Sequence, residues 1–107
     1  MMALSVSGAS VVIGPRTSGG KWTNHLTPLE CRFCGEVLHA CSGMSRKQAN
    51  EIVKKILPKY EGQLREPNVG VTYQEAYDQQ THTPKPEWQA MYDKVKSELI
   101  KMGMPLK

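Results

Sequence analysis

The chain has 107 residues, which is enough for one small domain. Its 14 Lys and Arg residues exceed its 10 Asp and Glu residues by four, and the excess is spread along the chain instead of forming the basic stripe typical of nucleic-acid binders. No apolar run approaches the ~20 residues of a membrane span, and the first residues lack the positive region of a signal peptide, so we expect a cytoplasmic protein without nucleic-acid or membrane partners.

A short β-branched run at residues 10–13 predicts a buried strand between Gly8 and Gly14. The sequence offers no second convincing strand that could pair with it. Because one strand cannot form a sheet, this run predicts the end of a larger fold whose other strands are encoded elsewhere.

The residues that follow, 14–22, have the composition of a loop. They depart from a Walker phosphate loop, because Gly20 instead of Lys follows Gly19, and Trp22 stands where Ser or Thr is required. A plain strand-to-helix connection is one interpretation. Loops after parallel strands also carry the sites of α/β folds. The candidate binding residues are therefore Gly14, Arg16, Gly19, Gly20 and Lys21.

The rest of the chain predicts four helices with clear start signals. They are expected to begin at Thr27, Ser45, Thr72 and Thr83-Pro84. The first is expected to end at Gly43, the second to end or kink near Pro58, and the last to end at Gly103.

The cysteine-rich segment has residue types that bind zinc: Cys31, Cys34, His39 and Cys41. On a continuous helix, however, His39 is turned about 140° from the face shared by Cys31 and Cys34, and Cys41 lies about 10 Å further along the axis. One tetrahedral ion cannot collect all four side chains unless the helix breaks. We therefore expect no metal, with cysteines buried in an apolar stripe, and keep the four-residue zinc site as the alternative.

Cys31 and Cys34 also form a Cys-x-x-Cys pair, but a redox role fits poorly because Cys31 lies just beyond the first turn of the predicted helix. No Ser or Cys has a His and acid partner at a recognisable spacing. The residues therefore predict no complete active site within this chain.

Two stretches carry a family resemblance. The first is residues 27–43, with Glu30, Gly35-Glu36-Val37 and Ala40; the second combines Thr72-Tyr73-Gln74-Glu75, Tyr77-Asp78, Thr83-Pro84 and Met91-Tyr92-Asp93 with a Lys-rich helix to Leu106. In order and spacing these stretches resemble the C-terminal part of the monomethylamine:corrinoid methyltransferases. The similarity is good from Thr27 onward and looser over residues 3–26.

The resemblance implies an α/β fold, the (β/α)8 TIM barrel, and transfer of the methyl group of monomethylamine to the cobalt of a separate corrinoid protein. Such a barrel needs about 250 residues, so this chain corresponds to its C-terminal piece. The last strand and its loop fall in about residues 3–26 and the terminal helices in about 27–107. The catalytic pyrrolysine and its acidic partners are expected upstream, and no catalytic residue is assigned here.

The partners that the resemblance implies are the rest of the barrel, a cognate corrinoid protein and further copies of the full-length enzyme. The chain itself is expected to bind no cofactor, to be inactive alone, and to expose apolar stripes that favour self-association. The alternative is a small stand-alone helical interaction or zinc-binding module. Weak, salt-sensitive nucleic-acid binding is a third option.

Overall fold

The computed structural model describes residues 1–16 and 20–107, and the regular structure of these residues is helical. The five α-helices are α1 (Met2–Val6), α2 (Pro28–Ala40), α3 (Arg46–Ile56), α4 (Tyr73–Ala76) and α5 (Pro86–Lys101). Two 3-10 turns, Leu57–Lys59 and Glu61–Gln63, follow α3. The four predicted helices are present as α2 to α5, whereas α1 was not predicted.

Side-chain caps explain where three of these helices begin. The Glu30 carboxylate accepts the Thr27 backbone N–H at 2.7 Å in the capping box of α2. Ser45 caps α3 by accepting the backbone N–H of Gln48 at 3.2 Å. Thr72 caps α4 in the same way, and these three predicted starts are confirmed.

The ends of the helices follow proline and glycine. Helix α3 ends at Ile56 because Pro58 has no N–H to continue the α-helical ladder, as predicted. Gly103 follows Met102, the C-cap of α5, and has a φ of +104°, a left-handed conformation that favours glycine. Helix α5 begins at Pro86 instead of Pro84, because Pro84 forms an isolated antiparallel bridge with Tyr77.

The strand predicted at residues 10–13 is not confirmed by the structure. The structure contains no strand within its described residues, and Val11 and Ile13 are 83% and 84% exposed. The physical reason is the missing partner, since a strand needs a neighbour to accept and donate its backbone hydrogen bonds. The residues that precede the predicted strand form the short helix α1, Met2–Val6.

Two apolar clusters hold the helices together. The first joins both ends of the chain to α2 and α3, and its buried members are Met2, Val37, Cys41, Ala49, Ile52 and Met104. The second surrounds α4 and the start of α2 and α5, with Leu29, Ala76 and Tyr77 buried and Trp88 and Tyr92 packed against them. The chain thus folds around two small cores instead of one large one.

The molecule is more extended than its length requires. Its radius of gyration is 14.5 Å, against about 13 Å for a compact domain of 100 residues. Large apolar side chains stay exposed in each third of the chain, including Leu4, Leu64 and Met91. This surface is available for further contacts.

Candidate functional site

The loop between α1 and α2 contains the predicted binding residues. Gly14 and Arg16 lie before residues 17–19, Gly20 and Lys21 lie after them, and Gly19 is outside the described residues. Gly20 has a φ of +81°, and a Cβ built on it would lie 3.4 Å from Cδ of Arg16. The Arg16 side chain therefore lies against the backbone of Gly20.

A pocket of about 260 Å³ opens beside this contact. Its lining residues are Arg16, Gly20, Trp22, Asn24, His25 and Leu26. The structure thus brings together two of the predicted residues, Arg16 and Gly20, whereas Gly14 does not line the pocket. Lys21 lies beside it, with Nζ 5.5 Å from the centroid of the Trp22 ring.

Sequence reasoning missed Trp22, Asn24 and His25. A signal was available in their position, because they directly follow the Gly-rich segment and include an aromatic and a titratable residue. What the sequence could not show is the sharp turn of the backbone at Asn24, which has a φ of +60°. This turn brings the second half of the loop back towards Arg16.

Hydrogen bonds fix this second half of the loop. The Asn24 side chain donates from Nδ2 to Oε1 of Gln74 at 2.7 Å, which ties the loop to α4. Nδ1 of His25 donates to the carbonyl oxygen of Thr23, also at 2.7 Å, and fixes the imidazole ring. One wall of the pocket is therefore held by contacts that do not involve Arg16.

The charge of the pocket is positive. Neither Arg16 nor Lys21 forms a salt bridge with another residue that the structure describes. Glu75 interacts electrostatically with His25, but its carboxylate accepts hydrogen bonds from the backbone and hydroxyl of Thr72 and does not line the pocket. The pocket can therefore interact favourably with an anionic group.

The cysteines do not gather into a metal site. Cys31 is exposed, Cys34 is half-buried, and the buried Cys41 has its Sγ 3.9 Å from Sδ of Met104 in the first cluster. Burial raises the pKa of the Cys34 and Cys41 thiols. No group of three or more His, Cys, Asp and Glu side chains in the described ranges is placed to hold a metal ion. The four-residue zinc alternative therefore has no ligand cluster in this structure.

A charged network joins α2 to α5 away from the loop. Glu36 accepts hydrogen bonds from Tyr92 Oη at 2.6 Å, Arg32 Nε at 2.9 Å and Lys96 Nζ at 3.0 Å. The hydrogen bond from Tyr92, followed by those from Lys96 and Arg32, lowers the pKa of Glu36 to about 2. The network fixes the position of α5 on α2, and each polar group in it has a partner.

None of the helices in the part of the chain that the structure describes has the length and apolar character needed to cross a bilayer.

Comparison with known proteins gives one consistent result. Residues 1–104 match the family model of monomethylamine methyltransferase MtmB. The chain is 32% identical over 100 residues to monomethylamine methyltransferase MtmB of Methanosarcina mazei and to MtmB1 of Methanosarcina acetivorans, and each alignment covers 94% of this chain and 22% of the relative.

A solved structure shows the same relationship. The crystal structure of the Methanosarcina barkeri monomethylamine methyltransferase (MtmB) is similar to this chain with a TM-score of 0.85 and 32% identity. The similarity covers 96% of this chain and 23% of that structure. The chain therefore spans about a fifth of the length of the curated relatives that it matches.

Proposed function

We infer the function from one premise: the chain belongs to the monomethylamine methyltransferase MtmB family. We propose that it serves as the C-terminal part of an enzyme that transfers the methyl group of monomethylamine to a corrinoid protein. The observation that carries the proposal is the family match over residues 1–104, together with the close structural similarity at 32% identity. The cytoplasmic location stays a prediction from the sequence.

The remaining part of the enzyme is proposed to be the upstream part of a (β/α)8 barrel. The exposed Val11 and Ile13 support this placement, because such side chains are stabilised when a neighbouring strand and the barrel core cover them. Residues 10–13 would then act as a strand of the completed sheet. The pyrrolysine and its acidic partners are assigned to the upstream part, and assembly of several complete enzymes is a further proposal.

The loop that follows would lie at the mouth of the barrel, because loops after barrel strands form that face. The corrinoid protein has to approach this face to receive the methyl group. The chain contributes Arg16 and Lys21 to this surface, and neither is paired with an acidic residue within the described ranges. We therefore assign to this loop contact with the corrinoid protein.

A reconstitution experiment tests the proposed function. Methanosarcina barkeri MtmB, shortened by the part that matches this chain, is co-expressed with the chain, and methyl transfer from monomethylamine to the corrinoid protein is measured. We expect the shortened enzyme to be inactive alone and active with the chain. The absence of methyl transfer from a purified, stable complex of the two polypeptides would contradict the proposal.

Two variants of the chain, used in the same experiment, test whether the loop contacts the corrinoid protein. Arg16→Ala is expected to weaken methyl transfer at low concentrations of the corrinoid protein, because a partner-facing charge is lost. Lys94→Ala, which removes an exposed charge from α5, is the matched control and is expected to have no effect. Identical kinetics of Arg16→Ala and the unchanged chain at every corrinoid-protein concentration would refute the role of the loop.

A further inference from the structure

We propose that the pocket between Arg16, Gly20, Trp22 and His25 is a binding site for an oxyanion, a carboxylate or a phosphate group. The assignment to an acidic group of the corrinoid protein or its cofactor rests on the proposed function. The binding of the anion itself depends only on the pocket.

The charges of the pocket favour an anion. A guanidinium presents planar N–H donors that match two oxygens of a carboxylate or phosphate. Arg16 lines the pocket, and none of the described acidic side chains does, so no such carboxylate competes with a ligand for the Arg16 donors. Lys21 adds a second positive charge beside the same Trp22 ring. An anion in this pocket would therefore have cations nearby without any competing carboxylate in the lining.

The Arg16 side chain has a defined position beside the pocket. It lies against Gly20, whose φ of +81° is a backbone conformation that favours glycine. The opposite part of the pocket is fixed by the bond between Asn24 and Gln74 and by the bond between His25 and the Thr23 carbonyl. Part of the ordering that binding requires is therefore already present in the free chain.

The size of the pocket suits a small charged group. A pocket of about 260 Å³ is smaller than the roughly 300–1,000 Å³ of sites that enclose a drug-sized ligand. It is large enough for a terminal carboxylate or phosphate and too small to enclose a complete corrinoid. This volume fits a charged group that projects from a larger molecule.

Nuclear magnetic resonance titration of the full 107-residue chain tests the site. Inorganic phosphate and acetate are added in separate series, with sodium chloride at matched ionic strength as the reference. We expect saturable shifts of the Trp22 indole and of the amides of residues 20–26 with at least one of the two oxyanions. Binding by phosphate alone assigns a phosphate ligand, and binding by acetate alone assigns a carboxylate. Shifts that chloride reproduces in full would overturn the proposal.

Matched variants distinguish specific binding in the pocket from nonspecific attraction of anions to the positively charged chain. Arg16→Gln is expected to weaken binding at least tenfold, whereas Lys94→Gln on α5 is expected to leave it unchanged. Equal effects of the two variants would contradict the site.

A third variant keeps every charge and changes the shape of the pocket. Gly20→Val places a side chain against Arg16 in a strained backbone conformation, so we expect weaker binding with an unchanged helical circular dichroism spectrum. Unaltered affinity in this variant would overturn the assignment. Failure of the reconstitution experiment does not affect these measurements, so the two proposals can fail separately.

Discussion

Glu36 shows how one carboxylate can link two helices. It lies on α2 and accepts hydrogen bonds from Tyr92 and Lys96 on α5 and from Arg32 one turn earlier on its own helix. Its side chain is only 24% exposed, so these charge-assisted bonds are partly protected from solvent. The ion pair with Arg32 follows from the i,i+4 spacing. The partners on α5 are 56 and 60 residues away, and no local pattern in the sequence reveals them.

Removing the charge of Glu36 is expected to destabilise the fold in a pH-dependent way. Its pKa is about 2 in the folded chain and about 4.3 in an unfolded one, so the ionised group stabilises the fold above pH ~5. This stabilisation is lost as the pH falls towards 2. We expect Glu36→Gln to lower the free energy of unfolding by about 1–2 kcal/mol at pH 7, and the difference to shrink between pH 5 and 2 in urea denaturation.

The matched control is Glu51→Gln, since the pair formed by Glu51 and Lys54 is exposed on both sides and contributes less than about 0.5 kcal/mol. A loss for Glu36→Gln that is the same at pH 7 and pH 2 would show that the ionised carboxylate is not the cause.

At the scale of the elements, the start of α2 connects a helix cap to the second cluster. Thr27 is 1% exposed, forms the capping box with Glu30, and accepts the indole N–H of Trp88 at 3.0 Å through its hydroxyl oxygen. One oxygen thus serves both the cap of α2 and the packing of α5. The capping box was predictable from the sequence, whereas the contact with Trp88 required the tertiary structure.

Thr27→Val keeps the shape of this side chain and removes the oxygen. We expect a loss of about 2 kcal/mol in the free energy of unfolding, because the cap is lost and the half-buried indole N–H has no acceptor. Thr27→Ser restores the hydroxyl and is expected to lose less than about 1 kcal/mol. Thermal and urea unfolding measure both variants, and equal losses for Val and Ser would show that the hydrogen bonds contribute nothing.

The elements also show why prediction from the sequence succeeded in some places and failed in others. The starts of α2, α3 and α4 are local events, set by a side chain and a backbone group three residues away, and they were predicted. No strand forms at residues 10–13, because no neighbouring strand is present among the described residues to pair with these β-branched side chains. The Gly-rich loop was located, but the pocket depends on the turn at Asn24 and the tie to Gln74, which the sequence does not reveal.

At the scale of the whole molecule, the proposed function explains both the exposed apolar side chains of residues 10–13 and the extended shape of the chain. The chain spans about a fifth of its relatives, and the surface that is exposed here would be covered by the upstream part of the enzyme. Val11 and Ile13 would gain most from this cover, because they are 83% and 84% exposed. Residues 10–13 are therefore expected to change from an irregular segment to a strand when the upstream part is present.

Amide hydrogen exchange measures that change directly. The chain is compared alone and in complex with Methanosarcina barkeri MtmB shortened by its matching part. Alone, the amides of residues 10–13 are expected to exchange rapidly, because the structure gives them no regular hydrogen bonds. In the complex they are expected to become protected at least a hundredfold, as those of a strand within a barrel would. Exchange that stays rapid in a stable complex would contradict the placement of this chain as the end of the barrel.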